Sequence, residues 1–312
     1  MARYYNKGSI ISWLGGKSPV KAKIIPLMPE TRVYVEPFGG AANVILSKGP
    51  SEVEVYNDMN PFLVSFFRTI KDPDKLNEFL IKVRHQLYSR DAKKIARTIL
   101  FADRSDKTEM DLAVSFYVAQ NQGFSGTGSF RKGDSWGISL GNSIPFKWSN
   151  SEKWLFDYSD RLRNVTIEMM DAVQVVRKYD AEDALIYLDP PYVPSTRSMG
   201  GCAEYDVDYS YEQHQELLDT MLHMKGMAII SGYPNALYDD TLMSRGWTKL
   251  SWKVTSSAVV RTRSQGSKVG KLKHGQEECI WVSPNTQLMQ GDLLMDDVVV
   301  DDETDTTEEL SC

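Results

Sequence analysis

A rigid segment with several hydrogen-bond acceptors, Asp189-Pro190-Pro191-Tyr192, directly follows the apolar residues 184–188. Two successive prolines stiffen the backbone and contribute no amide N–H groups, so the Asp189 carboxylate and the Pro190 carbonyl form two acceptors on one loop. Tyr192 adds a flat surface beside them. This set suits an exocyclic amino group, which carries two N–H donors on a planar ring. The alternative is a proline-rich turn in which Asp189 is only a cap.

A glycine-rich segment at residues 37–43 (PFGGAAN) follows an earlier strand-like stretch. Such a turn lets backbone amides approach a ligand at the start of a helix. Asp58 lies 19 residues after Gly39, the spacing of a carboxylate that binds ribose hydroxyls. The alternative is a tight connection in which Asn57 and Asp58 cap the next helix.

Strand-like and helix-like segments alternate along the chain. We predict strands at residues 32–36, 52–56, 165–169, 184–188, 227–231, 247–257 and 278–282, and helices at residues 41–47, 61–70, 211–224 and 236–243. Ser210 and Gln213 have capping-box spacing at the third of these helices. Successive strand–turn–helix units are typical of a parallel α/β sheet.

Residues 72–164 interrupt this alternation with more charge and with helical periodicity. They predict a mainly helical insert in an α/β sheet domain. We therefore expect one domain in two parts, residues 1–71 and 165–287, an inserted domain at residues 72–164, and an acidic, disordered tail at residues 288–312.

Composition limits the classes of protein to which the chain can belong. Of 312 residues, 42% are hydrophobic and 25% charged, which excludes a mainly disordered chain, a collagen and a disulfide scaffold. No apolar run approaches the roughly 18 residues of a membrane span, and the first residues have no hydrophobic signal core, so we expect a cytoplasmic protein without membrane association. The three cysteines and four histidines have no metal-ligand spacing, so we expect no metal.

The net charge of −6 is unevenly distributed. Residues 288–312 contain nine acidic residues and no Lys or Arg, which leaves a net charge of +3 on the rest of the chain. Residues 241–276 contain eight Lys or Arg and no Asp or Glu, so this stretch can contact several phosphates, although a solvated surface loop is the alternative. The candidate phosphate contacts are Arg261, Arg263, Lys268 and Lys271 here, with Arg131 and Lys132 in the insert.

Five motifs in this order resemble the Dam-type family of DNA adenine-N6 methyltransferases, which use S-adenosylmethionine. They are WLGGK at residues 13–17, VEPFGGAANV at 35–44, NDMN at 57–60, DPPY at 189–192 and IISGY at 229–233. The resemblance runs from residue 12 to about residue 284. It implies a Rossmann-like methyltransferase sheet with an inserted target-recognition domain.

The resemblance also implies roles for individual residues. The methyl donor would contact Trp13, Lys17, Phe38, Gly40, Asp58 and Asp189, with Lys17 at its carboxylate and Asp58 at its ribose. Residues 121–128 correspond to the family's DNA-contacting segment. The candidate DNA contacts in it are Asn121, Gln122 and Phe124. Here Gln122 and Ser125 replace an arginine and an asparagine of that segment, so no recognition sequence is carried over. Ala42 replaces a glycine of the family's turn.

The residues and the resemblance together predict methyl transfer to the N6 amino group of an adenine that has been flipped out of double-stranded DNA. Asp189, Pro190 and Tyr192 would be the catalytic residues. Asp189 would act by its charge, since a carboxylate of reference pKa about 3.9 is too weak a base to deprotonate a neutral amine. Methylation of cytosine N4 and a catalytically silent DNA-binding protein of the same fold are the alternatives. RNA as substrate and a cognate restriction enzyme are left open.

Overall fold

The computed structural model describes residues 9–13, 15–103, 105–123, 126–130, 136–137, 148, 155–193, 209–254 and 276–286. Some of the predicted DNA contacts lie outside the described residues, as does the acidic tail at residues 288–312. These contacts are Phe124, Arg131, Lys132, Arg261, Arg263, Lys268 and Lys271.

Strands of the described residues form one sheet in the order β3-β2-β1-β4-β5-β7-β6. They are β1 Val33–Glu36, β2 Val53–Asn57, β3 Val165–Glu168, β4 Ala184–Leu188, β5 Met227–Gly232, β6 Thr248–Val254 and β7 Gln276–Val282. The first five strands in this order, from β3 to β5, are parallel, and β7 runs antiparallel between β5 and β6. The predicted α/β, Rossmann-like methyltransferase fold is confirmed.

Both faces of the sheet are covered, which explains why its central strands are almost continuously apolar. All five residues of β4 are buried. Alternate residues enter two different cores: Ile186 and Leu188 pack on one face, and Leu185 and Tyr187 on the other.

Helices connect the strands and cover the faces. They are α1 Lys21–Ile24, α2 Pro61–Lys71, α3 Pro73–Arg84, α4 Arg90–Phe101, α5 Glu109–Gln122, α6 Leu155–Leu162, α7 Ala172–Tyr179, α8 Tyr211–Leu222 and α9 Ala236–Leu242. The start of α2 is set by Pro61 and by the Asn60 side chain, which accepts hydrogen bonds from two backbone amides. The predicted capping box of Ser210 and Gln213 begins α8. No helix of the described residues is long and apolar enough to cross a bilayer.

Helices α3 to α6 lie between β2 and β3 in the sequence, where a helical insert is predicted. Phe66 of α2 stacks on Tyr117 of α5, with ring centroids 5.7 Å apart, and Phe79 of α3 packs edge-on against the same tyrosine. These rings belong to the same hydrophobic core as Tyr34 and Tyr56 of the sheet. The helices between β2 and β3 therefore share a core with the sheet.

One predicted helix is wrong. Residues 41–47 form successive turns, because the Ala42 amide bonds to the Gly39 carbonyl and the backbone is left-handed at Gly40 (φ 48°) and Ala42 (φ 56°). Left-handed residues interrupt a right-handed helix. The other predicted helices and the strands are confirmed within three residues where they are described, and α7 lies where no helix was predicted.

Candidate active site

The order of the strands determines where a ligand can bind. The sequence order reverses between β1 and β4, which lie side by side at the centre of the sheet. In open α/β sheets, ligands bind beyond the carboxyl ends of the strands at such a reversal. A cavity opens at this edge. It is lined by all the residues predicted for catalysis and for the methyl donor: Trp13, Lys17, Phe38, Gly40, Asp58, Asp189, Pro190 and Tyr192.

The glycine turn after β1 forms one wall of the cavity. A Cβ atom on Gly39 would overlap the ring of Tyr56, so a larger residue cannot occupy this position without displacing that ring. Tyr56 in turn donates a hydrogen bond of 2.7 Å to the Gly40 carbonyl. Two glycines therefore allow the turn to lie directly on β2, close to whatever occupies the cavity.

Asp58 follows β2 and is held by two backbone amides. Its carboxylate accepts hydrogen bonds from the amide of Gly40 at 2.9 Å and from that of Asn60 at 2.8 Å. Burial raises the pKa of Asp58 to about 6, although both hydrogen bonds act in the opposite direction. Helix α2 is capped by Asn60, so the predicted alternative, in which Asn57 and Asp58 are the caps, does not hold.

The Asp189 carboxylate lies directly after β4 and is oriented by groups from two other segments. The Ser231 hydroxyl at the end of β5 donates a hydrogen bond of 2.9 Å to Asp189 Oδ1, and Lys17 Nζ lies 2.6 Å from the same oxygen. Tyr187 donates a hydrogen bond to Ser231, which fixes that hydroxyl in turn. In the described part of the chain, the Pro190 carbonyl accepts no hydrogen bond and is available to a ligand.

Lys17 is buried at the centre of a charged cluster. Its Nζ atom lies 3.2 Å from Glu278 Oε1 on β7 and 3.2 Å from the Tyr192 hydroxyl. Burial lowers the pKa of Lys17, but the charge of Asp189, with Tyr192 and Glu278, more than offsets this, and the pKa lies well above its ordinary value. The Tyr192 ring stacks on Tyr233 with a centroid distance of 3.9 Å.

Aromatic rings form the rest of the cavity wall. Trp13 packs against Phe130, with ring centroids 5.2 Å apart, and Phe38 meets Tyr209 edge-on at 5.3 Å. All four rings line the cavity. A planar, partly apolar ligand can therefore be enclosed between them.

The segment after α5 lies against the cavity rather than apart from it. The Gln120 amide donates to the backbone carbonyls of Ser12 and Gly126. Gln122, a predicted DNA contact, is fully buried, and its side chain bonds to the backbone of Leu87 and Ser89. In this structure the Gln122 side chain supports the loop and is not exposed to a DNA strand.

Asn121, also predicted to contact DNA, is partly exposed. Its side-chain amide donates a hydrogen bond of 3.1 Å to the Tyr117 carbonyl, one turn earlier in α5. A second partner can therefore reach this side chain from solvent.

Several residues of the site were not predicted to have a role. Ser231 lies within IISGY but had no predicted role, and Glu278 lies in a strand predicted only by its apolar residues. Glu36, Asp171 and Tyr209 line the cavity and had no predicted role. The position of Asp171, three residues after the end of β3, could have identified it, since acidic residues also follow β2 and β4.

The fold and the cavity are typical of α/β proteins that bind a nucleotide-like ligand at the switch point of the sheet. Comparison with known proteins gives the family. The model of the D12 class N6 adenine-specific DNA methyltransferase family matches residues 13–255. The chain belongs to this family.

Curated relatives agree with this result. The chain is 21% identical over 277 residues to the DNA adenine methylase of Escherichia coli strain K12, which covers 87% of this chain and 94% of that protein. It is 26% identical over 227 residues to a type II methyltransferase of Lactococcus lactis subsp. cremoris, covering 70% and 78%. It is also 24% identical over 244 residues to the DNA N-6-adenine-methyltransferase of Escherichia phage P1, covering 75% of this chain but only 31% of that longer protein.

The predicted reaction, methyl transfer to the N6 amino group of adenine in DNA, is confirmed by the family. The protein is an adenine-specific DNA methyltransferase: DNA is its substrate, and the N6 amino group of adenine accepts the methyl group. S-adenosylmethionine is the methyl donor implied by the family. Methylation of cytosine N4, an alternative from the sequence, is not the chemistry of this family.

Proposed function

We propose that the cavity at the carboxyl ends of β1 and β4 binds S-adenosylmethionine. The support is its position at the switch point, its aromatic walls and the placement of the charged groups. Asp58 would accept hydrogen bonds from the ribose hydroxyls, and the Lys17 ammonium would bind the donor's carboxylate with its remaining N–H group while it stays beside Asp189 and Glu278. Trp13, Phe38 and Gly40 would enclose the rest of the donor.

For catalysis we propose that the two N–H groups of the target adenine bind the Asp189 carboxylate and the Pro190 carbonyl. These bonds favour a pyramidal nitrogen whose lone pair can attack the methyl carbon. As the carbon–sulfur bond breaks, positive charge leaves sulfur and appears on nitrogen beside Asp189, so the attraction grows toward the transition state. The cationic nitrogen then loses a proton to water, and the scheme needs no metal. The observation that carries the proposal is the Asp189 carboxylate, held by Ser231 and Lys17 at the wall of the cavity.

The adenine must leave the duplex to reach this site. Extruding a base costs a few kcal/mol, and stacking on an aromatic ring returns about 1–3 kcal/mol. We propose double-stranded DNA as the substrate and Tyr192 as the stacking surface. In this scheme residues 72–164 form the target-recognition domain, and residues 1–71 with 165–287 form the catalytic domain.

Further DNA contacts are proposed on charge and sequence position. The candidates for phosphate contacts are Arg131, Lys132, Arg261, Arg263, Lys268 and Lys271, and the candidates in the recognition segment are Asn121 and Phe124. Each phosphate contact should add nearly one unit to the slope of log affinity against log salt concentration. Replacement of Arg261 and Arg263 by glutamine should therefore reduce this slope by about two, as measured by fluorescence anisotropy with a labelled duplex.

Calorimetric titration with S-adenosylmethionine tests the donor site. Asp58→Ala should weaken binding by about 10- to 100-fold, because hydrogen bonds to a charged group contribute about 1.5–3 kcal/mol. Asp183→Ala is the matched control, since this exposed carboxylate pairs with Arg32 outside the cavity. Equal affinities of Asp58→Ala and the parent protein would contradict the proposed site.

A further inference from the structure

A second buried carboxylate, that of Glu278, lies beside the Asp189 loop. Glu278 belongs to β7, and the pairing of Gly232 with Cys279 brings it to the carboxyl end of β5. Only 6% of its surface is exposed. No motif in the sequence predicts a role for it, because it lies 89 residues after Asp189.

Glu278 shares its partners with Asp189. Lys17 Nζ lies 2.6 Å from Asp189 Oδ1 and 3.2 Å from Glu278 Oε1, so one ammonium stands between two carboxylates. The Tyr192 hydroxyl donates a hydrogen bond of 3.3 Å to Glu278 Oε2. Glu278 thus contacts two side chains that also contact the Asp189 loop or belong to it.

The charges of this cluster matter because the groups are largely removed from water. Two carboxylates and one ammonium carry one net negative charge. Burial raises the pKa of Glu278 and the charge of Asp189 adds to this shift, whereas the Lys17 charge opposes it and favours the ionised form. If Lys17 paired with Asp189 alone, the ammonium would cancel the charge that must face the methylated nitrogen.

We propose that Glu278 is a positioning residue for methyl transfer: it shares Lys17 with Asp189, so that the ammonium does not cancel the charge that Asp189 presents to the target amino group. It also fixes the Tyr192 hydroxyl, whose ring stacks on Tyr233. This inference rests on the proposed catalytic role of Asp189. The effect is on the transition state, because the positive charge on nitrogen develops only there.

The first test is Glu278→Gln, which keeps the size of the side chain and removes its charge. The single-turnover rate constant for methylation of a DNA duplex should fall by about 10- to 100-fold, while the Kd for S-adenosylmethionine changes by less than about threefold. Glu278→Asp, which keeps the charge, should recover part of the rate. Glu277→Gln is the matched control: Glu277 is the neighbour of Glu278 in β7 but is exposed, so this change should leave the rate unchanged.

The second test distinguishes charge from packing. In Glu278→Gln the charges of Lys17 and Asp189 cancel. Adding Lys17→Met removes the ammonium, so that the double variant regains one net negative charge, that of Asp189. At saturating donor, the double variant should therefore methylate faster than Glu278→Gln alone, a coupling that independent structural damage does not produce.

Two results would overturn the inference: a parent-like rate for Glu278→Gln, or a double variant no faster than Glu278→Gln. The first result together with an inactive Asp189→Ala would remove only the role of Glu278. A parent-like rate for Asp189→Ala would instead overturn the proposed function and this inference with it.

Discussion

Glu36, the last residue of β1, lines the cavity, and its titration provides a direct test of the electrostatics there. Its side chain is 2% exposed and accepts a hydrogen bond of 2.8 Å from the Tyr34 hydroxyl. Burial raises the pKa of Glu36 from 4.5 to about 8, although the bond from Tyr34 and the charge of Lys48 act to lower it. At neutral pH this carboxyl group is therefore mostly protonated in the folded protein.

The sign of the effect on stability follows from proton binding. Between about pH 4.5 and pH 8, the folded protein keeps a proton that the unfolded chain releases, so the contribution of Glu36 to stability falls as the pH rises. Each pH unit in this range changes the free energy of unfolding by up to about 1.4 kcal/mol. From pH 5 to pH 8, the loss due to Glu36 amounts to about 3 kcal/mol.

Glu36→Gln removes this titration and retains an acceptor for Tyr34. Urea unfolding at pH 5, 6, 7 and 8 should show that the parent protein loses about 3 kcal/mol more stability across this range than the variant does. Glu52→Gln, which replaces an exposed carboxylate just before β2, is the control and should give a curve parallel to that of the parent. A curve for Glu36→Gln that is also parallel to the parent would refute the assignment of a neutral, buried Glu36.

Three more perturbations test individual contacts. Gly39→Ala places a Cβ atom inside the ring of Tyr56 and should lower the Tm by several degrees. Gly232→Ala is the control, because a Cβ atom there meets only ordinary contacts at 3.6 Å and should not lower the Tm. Similar Tm values for the two variants would argue against the close packing of the turn. S-adenosylmethionine binding should weaken as the pH falls below about 6, because Asp58 becomes protonated there. Calorimetric titration at pH 5 and pH 7.5 measures this change. Equal affinities at the two pH values would exclude Asp58 as the acceptor of hydrogen bonds from the ribose. Ser231→Ala removes a hydrogen bond to Asp189 and should lower the single-turnover rate about tenfold without a change in donor affinity, so a parent-like rate would leave Ser231 without a catalytic effect.

The parallel part of the sheet was predictable because its strands carry continuous or alternating apolar residues and end in recognisable turns. β4 begins and ends at the predicted residues, and the Asp-Pro-Pro-Tyr loop follows directly. The eight residues predicted to bind the donor or to catalyse the reaction line one cavity, because parallel strands bring their carboxyl ends to the same edge.

Local patterns were less informative where tertiary contacts decide the structure. The predicted helix at residues 41–47 fails because Gly40 and Ala42 take left-handed conformations, which pack the turn against β2. Gln122 was predicted to face DNA because of its position in a motif, yet its amide holds the backbone of a segment more than 30 residues away.

Glu278 is a residue of the site that local sequence patterns could not identify. It reaches Lys17 only because β7 pairs antiparallel with β5, a long-range pairing that the spacing of charged residues cannot reveal. A residue of this kind becomes visible only when the strand order is known.

The most direct test of the central claim is nucleoside mass spectrometry of unmethylated duplex DNA after incubation with S-adenosylmethionine and either the parent protein or Asp189→Ala. Circular dichroism and donor titration would show that the variant is folded. We predict N6-methyl-2′-deoxyadenosine with the parent protein and none above background with Asp189→Ala. Formation of this nucleoside at comparable rates by both proteins would contradict the role of Asp189, and N4-methyl-2′-deoxycytidine in its place would contradict the adenine amino group as the methyl acceptor.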